Sequence, residues 1–301
     1  MKYIAITGAS GVLGTRIQQF FKNSKFHIFN QDIRDEIAVM KFCRESVECD
    51  AFFHLAALVP KQTVDNNPTE AFDINVRGTL NILKGLKQLK DCSPWMFFAS
   101  SSHVYASLES PIAENGILDP FTLYGLTKLQ GEEWCKAYAR EFGLRICIGR
   151  LFSFSDPLQS RLYFIPAMIQ KIRTAKLNET LLIPGLDGKR DFITITQICQ
   201  AIEILFTHKY QGPINIGTGV ATQLLDIVQK IILLLGREDL IIKGIKEKTT
   251  FHVADNTLLK SMSGEISSQL DELIFNIINS LLNDDQEKNI FLNSPNLHPG
   301  A

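Results

Sequence analysis

No stretch of this 301-residue chain stays apolar for the ~18 residues of a membrane span, so a membrane-embedded role is not expected. The first residues, Met-Lys-Tyr-Ile-Ala-Ile-Thr-Gly, turn polar too soon to form a signal-peptide core, and a cytoplasmic location is the expectation. Cysteine is sparse and scattered. Cys43, Cys49, Cys92, Cys135, Cys147 and Cys199 show neither the C-x-x-C pairs of a zinc site nor the dense spacing of a disulfide scaffold, which leaves reduced, mostly buried thiols and no metal. Neither charge sign dominates. With 31 Lys and Arg against 32 Asp and Glu, the net charge of -1 supplies no field to gather nucleic acid. There is no internal repeat. What is present is an apolar fraction of 45% with 21% charged residues, enough for two lobes or one large α/β domain.

The order of elements narrows this. Lys2 to Ile6 reads as a strand, Gly8 to Gly14 as a glycine-rich turn, and Thr15 to Lys22 as a helix. The alternation continues with a strand at Phe26 to Phe29, a helix at Glu36 to Ser46, a strand at Ala51 to Ala56 and a long helix from about Thr69 to Leu89, opened by Pro68. Trp95 to Ala99 and Leu144 to Ile148 add two strands, with a helix from Leu123 to Phe142 between them. Apolar strands alternating with helices predict a parallel sheet covered on both faces: an α/β, Rossmann-like, doubly wound fold over residues 1–155. Beyond Arg150, prolines punctuate helices near 162–175, 197–207, 222–235 and 267–282 and strands near 181–183 and 214–216. Residues 156–283 are expected to form a smaller substrate lobe, with strand 214–216 returning to the main sheet. A polar tail is expected over 284–301.

Two motifs carry chemistry. The run Gly8-Ala9-Ser10-Gly11-Val12-Leu13-Gly14 lies between the first strand and helix, where small residues let the backbone approach a pyrophosphate and a helix N-terminus presents free N–H groups. A tight turn without ligand is the plainer alternative. Tyr124 and Lys128 stand four residues apart on one helix face, so the cation can lower the phenol's pKa and reach a cofactor ribose. Some 25 residues earlier the strand at Trp95 ends in Ser100-Ser101-Ser102-His103-Val104-Tyr105, hydroxyls at a strand's carboxyl end, where open α/β sheets bind ligands.

At these residues the chain resembles the extended short-chain dehydrogenase/reductases that act on nucleotide-diphosphate sugars: epimerases, 4,6-dehydratases and 4-keto reductases. The matching segments are Gly8 to Gly14, Asp32 to Asp35, His54-Leu-Ala-Ala57, Asn75 to Thr79, Ser101 to Tyr105, Tyr124 to Lys128, Arg150 to Ser153, Pro184 to Phe192 and Asn215-Ile-Gly217. The resemblance implies NAD(H) or NADP(H), a nucleotide-sugar substrate and a homodimer built on the helices around 69–89 and 123–142, where Phe72, Val76, Leu80 and Leu83 recur at helical spacing. It implies a catalytic Ser101, Tyr124 and Lys128. Around the cofactor it sets Gly8, Ser10, Gly11, Val12, Leu13, Gly14, Asp32, Ile33, Leu55, Ala56, Ala57 and Asn75, together with Tyr124 and Lys128. Around the substrate it sets Ser102, His103, Ser153 and Arg190, whose guanidinium suits a diphosphate.

Departures from the pattern bear on the member, though they separate reductase from epimerase poorly. One strand, Phe26 to Phe29, stands where the family usually has two, so Asp32 is either the ribose carboxylate or the aspartate beside the adenine, and NAD versus NADP stays open. Ser153 replaces a common Asn, and Thr196-Gln197 an acidic pair. The dehydratases carry Asp and Glu after the catalytic hydroxyl; here Ser102 and His103 follow it. Reduction of a 4-keto-6-deoxyhexose nucleotide is the favoured activity, as in deoxysugar pathways. A 4-epimerase, or a 3/5-epimerase with His103 as acid/base, is the alternative. A non-catalytic cofactor-binding regulator is the third reading.

Overall fold

A computed structural model describes residues 2–247 and 250–293, with the backbone alone for 283–293. Strands β1 (Tyr3–Thr7), β2 (Lys25–Phe29) and β3 (Ala51–His54) alternate with helices α1 (Val12–Phe20) and α2 (Glu36–Glu45). Short helices α3 (Lys61–Asn66) and α4 (Pro68–Phe72) precede α5 (Gly78–Lys87), β4 (Trp95–Ser101), α6 (Leu123–Phe142) and β5 (Ile146–Leu151). These strands join β10 (Gly212–Ile216) in one six-stranded sheet of order β10-β5-β4-β3-β1-β2, parallel throughout. Every residue of β3, β4 and β5 is buried, which is why these segments read as unbroken apolar runs. The chain reverses direction across the sheet between β1 and β3, the kind of switch point at which open α/β sheets bind ligands.

The helix expected over 69–89 is not continuous. A π-turn at Asp73–Arg77 separates α4 from α5. Inside it Asn75 makes side-chain bonds to a neighbouring loop and to α6, a common reason for such a bulge. The apolar stripe predicted there points mainly inward: Val76 and Leu83 are core residues and Phe72 is exposed.

One face of the sheet packs Ile4, Ile6, Phe53, Trp95 and Phe97 against α8 (Ile195–Thr207); the other packs Phe52, Met96 and Phe98 against α2, α5 and α6. Each buried phenylalanine contributes roughly 1.5–3 kcal/mol by leaving water. The C-terminal half adds β6 (Ser153–Ser155), α7 (Phe164–Thr174), β7 (Thr180–Pro184), β8 (Lys189–Arg190), β9 (Phe192–Thr194), β11 (Thr222–Gln223), α9 (Leu224–Leu234), β12 (Ile241–Ile245), β13 (Phe251–His252), α10 (Thr257–Ser263) and α11 (Leu270–Asn293). Ile169, Ile183, Ile227, Ile231 and Ile274 form a separate core there. The α11 backbone runs past residue 283, where a polar tail was expected; residues 294–301 lie outside the described residues.

Asp191 ties the C-terminal segments together. Its buried carboxylate accepts from the backbone N–H groups of Thr218, Gly219 and Ala254 and from the Thr218 hydroxyl. Gln197, in place of the family's acidic residue, closes a capping box with Thr194 at the start of α8. Among the described residues no helix is long and apolar enough to cross a membrane, and no cluster of metal-ligating side chains occurs.

Candidate active site

The glycine turn is built for close backbone approach. Gly8 has φ of +72°, and a Cβ there would lie 2.6 Å from the Ala56 N. A Cβ on Gly14 would collide with the Gly8 carbonyl. Gly11 caps α1 without a side-chain bond, and no acidic residue occupies the first turn. No side chain therefore caps the first N–H groups of α1, and Gly8 packs on the Leu55–Ala56 backbone, a turn suited to a pyrophosphate. Thr7 accepts the Ala56 N–H at 3.3 Å and bonds His54 at 2.7 Å, which fixes the β3 loop against β1. Burial pushes the His54 imidazole down to about 3, with Lys128 adding to the effect, so it stays neutral between Thr7 and Thr79.

Asp32 lies three residues beyond the end of β2 and is exposed. Both of its oxygens accept from Arg34, a pairing that lowers its pKa. Ile33 is buried against Gly78, and its carbonyl accepts from Asn81. Asn75, expected at the cofactor, has its amide fully engaged by protein: Leu58 N–H, Leu58 carbonyl and Thr127 hydroxyl. It acts as a brace between the β3 loop and α6.

Helix α6 delivers the tyrosine and lysine. Thr122 caps it through the Gly125 N–H, and Gly125 sits so close to the His103 carbonyl that a Cβ would be 2.2 Å from it. The first turn of α6 is thereby pressed onto the end of β4. Tyr124 and Ser101 line the same space, and the Ser101 hydroxyl is placed to favour the phenolate. Burial raises the Tyr124 pKa above its ordinary value, and the Ser101 hydroxyl opposes that rise. Lys128 follows Tyr124 by one turn of the same helix. Its ammonium donates to the Ala99 carbonyl at 2.8 Å, lies 5.2 Å from the Phe98 ring centroid, and is brought down to about 8 by burial.

A cavity of about 350 Å³ opens above these groups, lined by Ser101, Ser102, His103, Tyr124, Ser153 and Arg190 among others. The sequence-predicted substrate residues thus share one space. Arg190 reaches it from β8, held by the Thr250 hydroxyl at 2.7 Å and the carbonyls of Lys189 and Thr250. No carboxylate pairs with it among the described residues, and burial lowers its pKa. Burial, and to a lesser extent Arg190, pushes His103 down to about 4, so it is neutral at pH 7.

Sequence reasoning missed His252, buried beside His103 with ring centroids 5.8 Å apart, and Phe121, 5.5 Å from His252. It also missed Glu132, one turn beyond Lys128, whose carboxylate accepts from Ser100 at 2.5 Å and from Arg150 at 2.6 Å. The i+4 step from Lys128 was the available signal for Glu132; His252 had none.

A parallel sheet with a glycine cradle at its switch point, and a Ser-Tyr-Lys set at the end of the adjacent strands, defines a dinucleotide-linked enzyme of the Rossmann class. This chain belongs to the NAD dependent epimerase/dehydratase family, whose model matches residues 4–217. It is 32% identical over 217 residues to a Methanocaldococcus jannaschii protein with the provisional name UDP-glucose 4-epimerase, covering 69% of this chain and 68% of that one. It is 27% identical over 187 residues to the GDP-6-deoxy-D-mannose reductase of Pseudomonas aeruginosa, covering 60% and 61% of the two chains. The fold superposes on the structure of RMD from Pseudomonas aeruginosa complexed with NADPH with a TM-score of 0.84 at 20% identity, covering 94% of this chain and all of that one.

Proposed function

We propose that this protein reduces a 4-keto nucleotide-diphosphate sugar with NAD(P)H. The observation that carries the reading is Tyr124, a phenol kept protonated by burial, which lines one cavity with the Ser101 hydroxyl and with Arg190, a cation that no carboxylate pairs among the described residues. A phenol in that state begins the reaction as a proton donor, which reduction of a ketone requires.

The residues that would hold the cofactor fit it: the uncapped first N–H groups of α1, at Val12 and Leu13, would take the diphosphate, and Gly8 and Gly14 leave no side chain in its way. The bound nicotinamide supplies the hydride. Ser101 donates to the substrate's carbonyl oxygen and orients it, Tyr124 gives that oxygen its proton, and Lys128 secures the β4 end through Ala99 and would contact the cofactor's ribose. Arg190 binds the substrate's diphosphate through its fork. Ser102, His103 and Ser153 line the sugar's space. Asp32 and Arg34 together offer a carboxylate and a guanidinium to the adenosine end.

The 32% identity to the archaeal protein favours a second reading, a 4-epimerase that uses the same residues and regenerates its cofactor. A panel of 4-keto-6-deoxy sugar nucleotides assayed with NADH and NADPH separates the two. Stoichiometric loss of the reduced-nicotinamide absorbance supports the reductase, and turnover with no net cofactor consumption refutes it in favour of the epimerase. A cytoplasmic homodimer belongs to the same reading. Its support is the apolar exposure of Phe72 on α4 and of Leu126 and Trp134 on α6, each about two-fifths accessible. A monomer in light scattering at micromolar concentration removes it.

A further inference from the structure

We propose that His103 and His252 complete an anion-binding wall with Arg190, and that binding of the substrate's diphosphate transfers one proton from solvent to this imidazole pair. The inference rests on the nucleotide-sugar reading above and adds to it a site residue, His252, and a proton.

The geometry carries it. His252 in β13 is the direct cross-strand partner of Arg190 in β8, so the two side chains stand on one face of a small sheet. The His103 ring packs against His252 at 5.8 Å with an interplanar angle of 35°, and lines the cavity from the end of β4. Phe121 closes the cluster, 6.2 Å from His103 and 5.5 Å from His252. Nδ1 of His103 and both ring nitrogens of His252 are buried without a well-formed hydrogen bond. Buried polar atoms are seldom left unmatched unless a ligand or water completes them. Three lie together here, beside a half-buried guanidinium that no carboxylate pairs among the described residues.

The surrounding charges explain why the rings are neutral beforehand and why they would not remain so. Arg190 faces both rings from β8, and Tyr124 on α6 meets His103 edge-on at 5.7 Å. The Ser102 backbone alone favours charge on His252, and weakly. Asp191, next to Arg190, turns its carboxylate away to Thr218, Gly219 and Ala254. Lys61, on the cavity's edge, is already paired with Asp65. Among the described residues no anion faces the imidazoles. Burial and Arg190 hold His103 down to about 4 and His252 down to about 3. A diphosphate diester carries two negative charges, of which Arg190 neutralises one. The second reverses the local field, and an imidazole nitrogen that accepts a proton then donates a charge-assisted hydrogen bond to a phosphate oxygen. Nothing is oxidised or reduced, and no bond of the sugar changes.

Calorimetry tests this on the full chain saturated with cofactor. UDP-glucose, GDP-mannose and dTDP-glucose are titrated at about pH 7.5 in HEPES and in Tris, whose ionisation heats differ. The diphosphate diesters bear no group that titrates there, so a proton taken up goes to the protein. The expected result is a buffer-dependent heat equivalent to uptake of up to about one proton, with affinity weakening by up to about tenfold per pH unit above neutrality. His252→Asn and His103→Gln should each reduce the uptake and weaken binding. Equal heats in both buffers for the wild type overturn the proposal without use of a variant, as does full uptake retained by both variants. If none of the three sugar nucleotides binds at any pH, the nucleotide-sugar reading itself falls, and this inference with it.

Discussion

The Glu132 carboxylate meets the Arg150 guanidinium at 2.6 Å where neither is reached by solvent, and Ser100, the residue before Ser101, donates to that same carboxylate. Helix α6 is thereby tied to β4 and β5 one turn beyond Lys128. Arg150 also donates to the Tyr105 hydroxyl, which donates in turn to Asn215 on β10. The network links three strands to the helix that carries the tyrosine.

Glu132→Ala removes the partner of a fully buried cation and should destabilise the fold by about 3–5 kcal/mol in urea unfolding. The double replacement Glu132→Leu with Arg150→Met should recover much of that loss, since the uncompensated charge leaves with it. A single replacement costing under about 1 kcal/mol would mean water reaches Arg150 after all.

Tyr124→Phe keeps the ring and removes the proton. Turnover should fall by about 10²-fold or more while cofactor affinity holds, the size of a lost general acid. Ser101→Ala should reduce kcat less than Tyr124→Phe, because a bound water can orient the carbonyl in its place. Near-normal turnover by Tyr124→Phe in single-turnover measurements removes the assigned donor.

Arg190→Ala should raise KM and weaken nucleoside diphosphate binding together, by roughly the 1.5–3 kcal/mol of a charged hydrogen bond, with cofactor binding unchanged. Arg190→Lys should restore only part of this, since a point charge lacks the planar fork. Equal nucleoside diphosphate affinity in wild type and Arg190→Ala, measured by titration, contradicts the assignment.

Acid should unfold this protein through its buried histidines. His54 and His252 titrate near 3 in the fold and His103 near 4, all below the ordinary 6.5. Between those values the unfolded chain binds protons that the folded chain excludes. Stability is therefore flat above about pH 6.5 and falls as pH drops below it, by up to about 1.4 kcal/mol per pH unit for each histidine. Urea midpoints taken at intervals between neutrality and about pH 5 should show this slope, reduced by one histidine's share in His54→Gln. A midpoint independent of pH over that range contradicts the burial of these rings.

Local chemistry was legible in the sequence and distant chemistry was not. Gly8, Gly11 and Gly14 announced a backbone approach because φ and crowding act within a few residues, and the apolar runs became the parallel strands they predicted. Ser101 and Tyr124 could be paired because both sit at element ends that a parallel sheet brings together. For Lys128, a four-residue helical step says the side chains share a face and nothing about the Ala99 carbonyl that takes its proton donors. The π-turn at Asn75 followed from contacts with Leu58 and Thr127, 17 and 52 residues away. His252 lies in a two-residue strand, too short for any periodicity, and it acquires meaning only by lying beside Arg190.

Strand β10 and helix α8 belong to the first sheet although they come from the second half of the chain. During synthesis from the N-terminus, the face of the sheet formed by Ile4, Ile6, Phe53 and Phe97 is therefore covered by α1 alone until residue 207 has left the ribosome, and β5 has no outer neighbour until residue 216 has followed. For that interval the nascent chain exposes a broad aromatic surface. Chaperone occupancy should concentrate there, and a chain cut after residue 155 should yield an aggregate in place of a free-standing cofactor domain.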